Sequence, residues 1–288
     1  MDDDEVARRK GITFEQAEGV HRLPSQLART EVTAELRAVI WGYIYGLIET
    51  NARWQNGRHV LGEAWDRLLK DVHVFRDHRP IDEFSSRFSD AIRRPKTVFE
   101  QGSYSDIYGW LQFILQNKPP AGFAQRIESI LRHCRSSYRI VDDVICPLGS
   151  EEDVQAVRQG LTDATAAGLT GSREHLRMAA VQLSAGNFAD SVRESIHAVE
   201  SAVRILEPSG DFSKALGKLE QRTSIHSAMK KGFLALYGFS SDEQGIRHPL
   251  LDKEASVVEE ADALFMIGAC SAFVSYLINK SRAGGLLA

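Results

Sequence analysis

The segment GIRHPLL, residues 245–251, sets an arginine beside a histidine, Arg247 and His248, between a glycine and a proline. A guanidinium stabilises a developing phosphorane and an imidazole moves a proton near pH 7, the two needs of phosphodiester cleavage without a metal. Gly245 permits a tight approach turn, and Pro249 biases His248 toward extended backbone. Adjacent residues on an extended segment point to opposite sides. The pair therefore meets at one atom only across a symmetric partner or through a bent loop. A structural role is the alternative: Arg247 pairs with Asp242 or a helix C-terminus, and His248 caps the following helix. Both readings stand at this point.

Two further groups of polar residues carry candidate chemistry. In FADSVRESIHAVESAVRIL, Ala189, Val192, Ile196, Val199, Val203 and Leu206 form an apolar stripe, and Arg193, His197, Glu200 and Arg204 form a polar one beside it at i, i+4, i+7 and i+11. Such residues either decorate a solvated face, with ion pairs worth only ~0.2–0.5 kcal/mol each, or line a groove where His197 changes charge near neutrality. The second group is basic: Arg126, Arg132, His133, Arg135 and Arg139, with Tyr138 adjacent. It is a candidate phosphate-binding cluster, diluted by Glu128, Asp142 and Asp143.

Other chemistries find no footing. The chain has no phosphate-cradling glycine motif, no zinc-ligand spacing and no nucleophile elbow. His175, His73 and His78 lie near acids in SREH and DVHVFRDHR and read as surface polar residues. No metal and no cofactor is expected. Three cysteines, Cys134, Cys146 and Cys270, are too few and too scattered for a disulfide framework. A net charge of −4, balanced through residue 150 and mildly acidic after it, excludes a strongly basic nucleic-acid domain and leaves room for a local patch. The start, MDDDEVARRK, is a charge run without an apolar core, unlike a signal peptide, and a cytoplasmic location is expected.

The elements that must position these residues are helical. With 43% apolar and 26% charged residues, the 288-residue chain reads as globular. TAELRAVIWGYIYGLIE carries Leu36, Val39, Ile40, Tyr43, Leu47 and Ile48 at helical spacing behind a Thr33 N-cap. SDIYGWLQFILQN places Ile107, Trp110, Leu111, Ile114 and Leu115 on one face and stops at KPP. FAQRIESILRHC does the same with Phe123, Ile127, Ile130, Leu131 and Cys134. YRIVDDVICPLGS, two β-branched runs around Asp142 and Asp143, predicts a small hairpin. A short helix, EEDVQAVRQGL, and a small-residue linker, TDATAAGLTGS, follow. Helices are then expected in REHLRMAAVQLSAG, in FADSVRESIHAVESAVRIL, around KALGKLE, in SIHSAMKKGFLALYG and from about Glu259 to Lys280. The last has a Ser256–Glu259 capping box and a 16-residue uncharged run, 263–278. That run is shorter than the ~20 residues of a membrane span and reads as a buried central helix, so no membrane is expected. Its Gly268, Ala269, Ser271 and Ala272 suit close packing, including against a second copy. The fold class is all-α, a helical bundle with one small β-hairpin. The regions are 1–137, 138–165 (hairpin and linker) and 166–288.

The series YRIVDD–VICPLGSEEDV, HLRMAAVQLS, SVRESIHAVESAVRIL, LYGFSSDEQGIRHPLL and ADALFMIGACSAFVSYLINK resembles the AbiJ-type domain of abortive-infection proteins. The likeness is strongest from about Tyr138 to Lys280, and LPSQLARTEVTAELRAVIWGYIY is a weaker match. The C-terminal half is similar to HEPN (higher eukaryotes and prokaryotes nucleotide-binding) helical bundles. The resemblance implies an antiphage protein and a homodimer. It implies an RNA or nucleotide ligand, and either metal-independent ribonuclease action or a non-catalytic module that senses a ligand or docks a partner defence protein. In such nucleases an arginine precedes a histidine by four to six intervening residues. Here Arg247 and His248, carried over as catalytic together with Arg193 and Glu200, are adjacent. The remaining candidates, Arg126, Arg132, His133, Arg135, His197 and Arg204, are binding residues.

Overall fold

The computed structural model describes residues 26–148, 151–208, 210–242 and 258–287. The chain divides into two compact units, Met1–Ile145 and Cys146–Ala288. It is mainly α-helical, as its periodicity predicts.

In the first unit, α1 (Ala34–Thr50) starts where the Thr33 hydroxyl accepts from the Leu36 N–H at 3.2 Å. Its fully buried stripe is Leu36, Ile40, Ile44 and Ile48, a straight i, i+4 row; Val39 stays exposed. A hairpin absent from the expected pattern follows, β1 (Arg53–Gln55) and β2 (Arg58–Val60), paired antiparallel with Trp54 opposite His59. Asn56 and Gly57 make its two-residue turn with φ of 49° and 70°, the left-handed geometry such a loop requires. The chain therefore holds two hairpins among the described residues, one more than expected.

Helix α2 (Glu63–Asp71) runs directly into a π-helical turn, Val72–Arg76. A 3-10 turn (Ile81–Glu83), α3 (Phe88–Ala91) and α4 (Arg93–Gln101) lead to α5 (Tyr104–Gln116). Ser103 and Asp106 close a reciprocal capping box at the start of α5. Helix α6 (Phe123–His133) completes the bundle. The expected faces of α5 and α6 are buried in full, with Phe99 edge-on to Trp110 at 5.2 Å. The second hairpin, β3 (Arg139–Val141) and β4 (Val144–Cys146), turns on Asp142 and Asp143, both at positive φ. Gln112 of α5 braces it, donating to the Asp143 carbonyl and accepting from the Ile145 N–H, each at 2.7 Å.

The second unit contains α7 (Glu151–Ala166), α8 (Thr170–Ser184), α9 (Phe188–Leu206), α10 (Phe212–Thr223), α11 (Ser227–Asp242) and α12 (Glu260–Ala283). Residues 162–166, read as linker from their small side chains, are the last turns of α7. The N-cap of α12 is Glu259, boxed with Asp262, rather than Ser256, which lies outside the described residues. Helix α12 is long and apolar enough by composition to cross a membrane, and just over half of its most apolar stretch is buried within this unit. Met266, Ile267, Cys270, Val274, Leu277 and Ile278 are buried as it packs on α7 and α9. Gly160 lets α7 approach, since a Cβ there would stand 3.0 Å from Ser271.

The α8–α9 pair is the most tightly specified part. Gly186, at φ 78°, closes α8: its N–H reaches the Leu183 carbonyl and the Asn187 N–H reaches that of Gln182, a Schellman ending. Two fully buried serines then fix the register from opposite directions. Ser172 of α8 donates to the Ala198 carbonyl at 2.7 Å, and Ser191 of α9 donates to that of Ala179 at 2.9 Å.

Candidate functional site

The serine-locked register of α8 and α9 decides which polar side chains meet. Val192, Ile196, Val199 and Val203 of α9 are fully buried, while Arg193, His197 and Glu200 on the neighbouring face are half-buried and Arg204 is exposed. Arg193 pairs with Asp190 at 2.7 Å, one turn back on the same helix. His197 faces α8, its ring centroid 5.3 Å from that of His175 and tilted by 67°. His175 Nδ1 is in turn 2.7 Å from Glu194 Oε2. Beside them on α8, Arg177 grips Glu174, with Nη2 at 2.6 Å from Oε1, and that bond holds the Glu174 carboxyl below the usual carboxylate range.

Sequence reasoning missed Glu194 and read His175 as a surface polar residue, whereas His175 is half-buried against α9. A stripe counted at i, i+4, i+7 and i+11 steps over Glu194, and His175 lies 19 residues away from it in the chain. The signal available was Glu194-x-x-His197, an acid and an imidazole one turn apart. Among the described residues, the donor atoms of His175, Glu194 and His197 all lie within 4.8 Å of one another. Two imidazoles and a carboxylate at that separation can pass a proton or grip a divalent ion.

The residues of the basic cluster differ in burial and in partners. Arg126, Arg132 and His133 are exposed on α6; Arg132 reaches Glu128 at 3.7 Å, and His133 stands 4.0 Å from Glu35 of α1. Arg135 is the left-handed residue that ends α6, at φ 53°. Arg139 is buried, its guanidinium donating to the carbonyls of Ser136 and Tyr138. Arg247 and His248 lie outside the described residues.

The first unit holds a second candidate site, a cavity of about 870 Å³ walled by the π-helical turn and α4. Asp77 bridges Arg76 at 3.1 Å and Arg94 at 2.5 Å, Arg79 pairs with Glu83, and Arg93 with Asp90. His73, buried behind this wall, is 2.9 Å from the Pro80 carbonyl through Nε2. Its volume suits a small-molecule ligand, and π-turns gather at functional positions.

The protein is thus a mainly helical, two-unit chain with a polar α8–α9 seam in one unit and a charged cavity in the other. A family model, AbiJ N-terminal domain 4, matches residues 13–163, more than half of the 288, and the chain belongs to that family. It is an abortive-infection-associated protein. No curated protein and no solved structure matches it. The family match takes in the whole of the cavity and ends before α8 begins.

Proposed function

We propose that this abortive-infection protein is the RNA-directed component of an antiphage response, a metal-independent ribonuclease that works in the cytoplasm as a homodimer. The observation that carries the reading is the half-burial of Arg193, His197 and Glu200 on one face of α9, with the His197 ring against His175 of α8. His197 meets His175 of α8, which in turn reaches Glu194, so this face carries a polar contact between two helices. Arg193 and Arg204 supply cations for phosphate oxygens, and Glu200 orients the attacking ribose hydroxyl. By the HEPN resemblance of residues 166–288, Arg247 stabilises the phosphorane formed as the 2′-oxygen attacks phosphorus, and His248 passes the hydroxyl proton to the 5′-oxygen as the P–O5′ bond breaks. The test is incubation of the purified protein with tRNA and total RNA in EDTA. Chelator-resistant cleavage is the expected result; cleavage that requires added Mg²⁺, or none at all, contradicts the reading.

A second reading is favoured by the cavity of the first unit, which lies inside the family-matched region. In it the protein senses a nucleotide-sized ligand, or docks a partner defence protein, and cuts nothing. Binding of a small ligand that shifts the melting temperature of a protein inert toward RNA distinguishes it.

A further inference from the structure

We propose that His175, Glu194 and His197 form a binding site for one divalent transition ion of the Zn²⁺ class, clamping α8 to α9. Three features on these helices carry it. Glu194 and His197 are one turn apart on α9, the Glu-x-x-His arrangement by which helical bundles present two ligands from a single helix. His175 comes from the facing helix, so the third ligand arrives from the opposite side. All three side chains are half-buried, and their donor atoms lie within 4.8 Å of one another.

The geometry closes with small motions. A tetrahedral ion with bonds of ~2.0–2.1 Å holds its ligand atoms ~3.3 Å apart. The His175–Glu194 contact, now 2.7 Å, opens slightly, while the wider separations in the group, none above 4.8 Å, contract through side-chain rotation. The backbone need not move, because the Ser172 and Ser191 hydrogen bonds already fix the helix register. Two imidazole nitrogens and one carboxylate oxygen select a borderline ion such as Zn²⁺ over Mg²⁺ or Ca²⁺, which prefer all-oxygen shells. Three protein ligands leave a fourth position for water. The inference is independent of RNA cleavage: it requires only the folded α8–α9 pair.

The test uses the full chain stripped with chelator and titrated with ZnCl₂ by calorimetry, with MgCl₂ as the control. Uptake of one Zn²⁺ per chain without Mg²⁺ competition is expected. His175→Ala, Glu194→Gln and His197→Ala should each weaken it by at least the ~10–100-fold that even an outer-shell partner costs. No Zn²⁺ uptake by the wild type overturns the site, as does undiminished uptake by the His175→Ala/His197→Ala double variant, which would mark surface binding elsewhere. Should a variant fail to fold, Co²⁺ added to the wild type decides. Intense visible absorption bleached by one equivalent of Zn²⁺ supports the site, and its absence refutes it.

Discussion

His175 Nδ1 and Glu194 Oε2 meet at 2.7 Å from two helices whose relative register is set by buried serine hydroxyls rather than by apolar shape alone. Apolar stripes tolerate sliding by small amounts; a hydroxyl aimed at one carbonyl does not. Ser172→Ala and Ser191→Ala should each cost about 0.5–1.5 kcal/mol in urea unfolding, the net worth of an ordinary hydrogen bond. Both should disturb the seam more than their stability cost implies, read as weaker Zn²⁺ uptake by a folded protein.

The alkaline limb of stability should report on Tyr108. Its hydroxyl is buried and 2.7 Å from the Ser136 hydroxyl, and burial pushes its pKa from 10.0 up to about 12. The folded chain therefore keeps this proton after the unfolded chain has lost it. The contribution is intact below pH 10 and is lost as pH rises through about 12, with a slope near 1.4 kcal/mol per pH unit between them. Tyr108→Phe should flatten that slope in unfolding measurements at high pH.

Acid should act at the start of α5. Hydrogen bonds from the Ser103 hydroxyl and backbone hold the Asp106 carboxyl below its ordinary range, so its contribution is present at neutral pH and lost as pH falls through the lowered value. Ser103→Ala should lower stability by about 1 kcal/mol at pH 7, the usual worth of an N-cap. The difference from wild type should shrink in acid.

Much of this architecture was legible because helical periodicity is a strong signal where one face is fully buried. The faces of α5 and α6 and the limits of α9 followed directly from their apolar spacing. The Asp142–Asp143 hairpin was equally readable, since β-branched runs flank it. The β1–β2 hairpin was missed although Asn56-Gly57 announces its turn, because its three-residue, largely exposed strands carry no alternation. The π-turn at Val72–Arg76 leaves no pattern at all, being an adjustment of packing inside a helix. The family likeness, expected to be strongest over residues 138–280, fell on 13–163. The metal-capable cluster escaped for a different reason: it depends on which residues of α8 face α9, and two serines decide that.

Assembly has its own signature. Phe265 is 61% exposed on α12, one turn from Gly268 and Ala269 and two from the exposed Ala272. That apolar, small-residue face suits packing against a second copy. Light scattering at tens of micromolar should give twice the chain mass, and Phe265→Arg should give a monomer of unchanged helicity.

The central claim, that the half-buried face of α9 serves RNA cleavage, is tested most directly by the Glu200→Ala variant. The measurement is its rate of tRNA cleavage in EDTA beside its unfolding free energy. The account predicts a loss of about 10²-fold in rate, the cost of a small misplacement of the reacting hydroxyl that Glu200 orients. Stability should stay within about 1 kcal/mol of wild type, the centre of the range for single substitutions. A folded Glu200→Ala protein that cuts tRNA at the wild-type rate would contradict it.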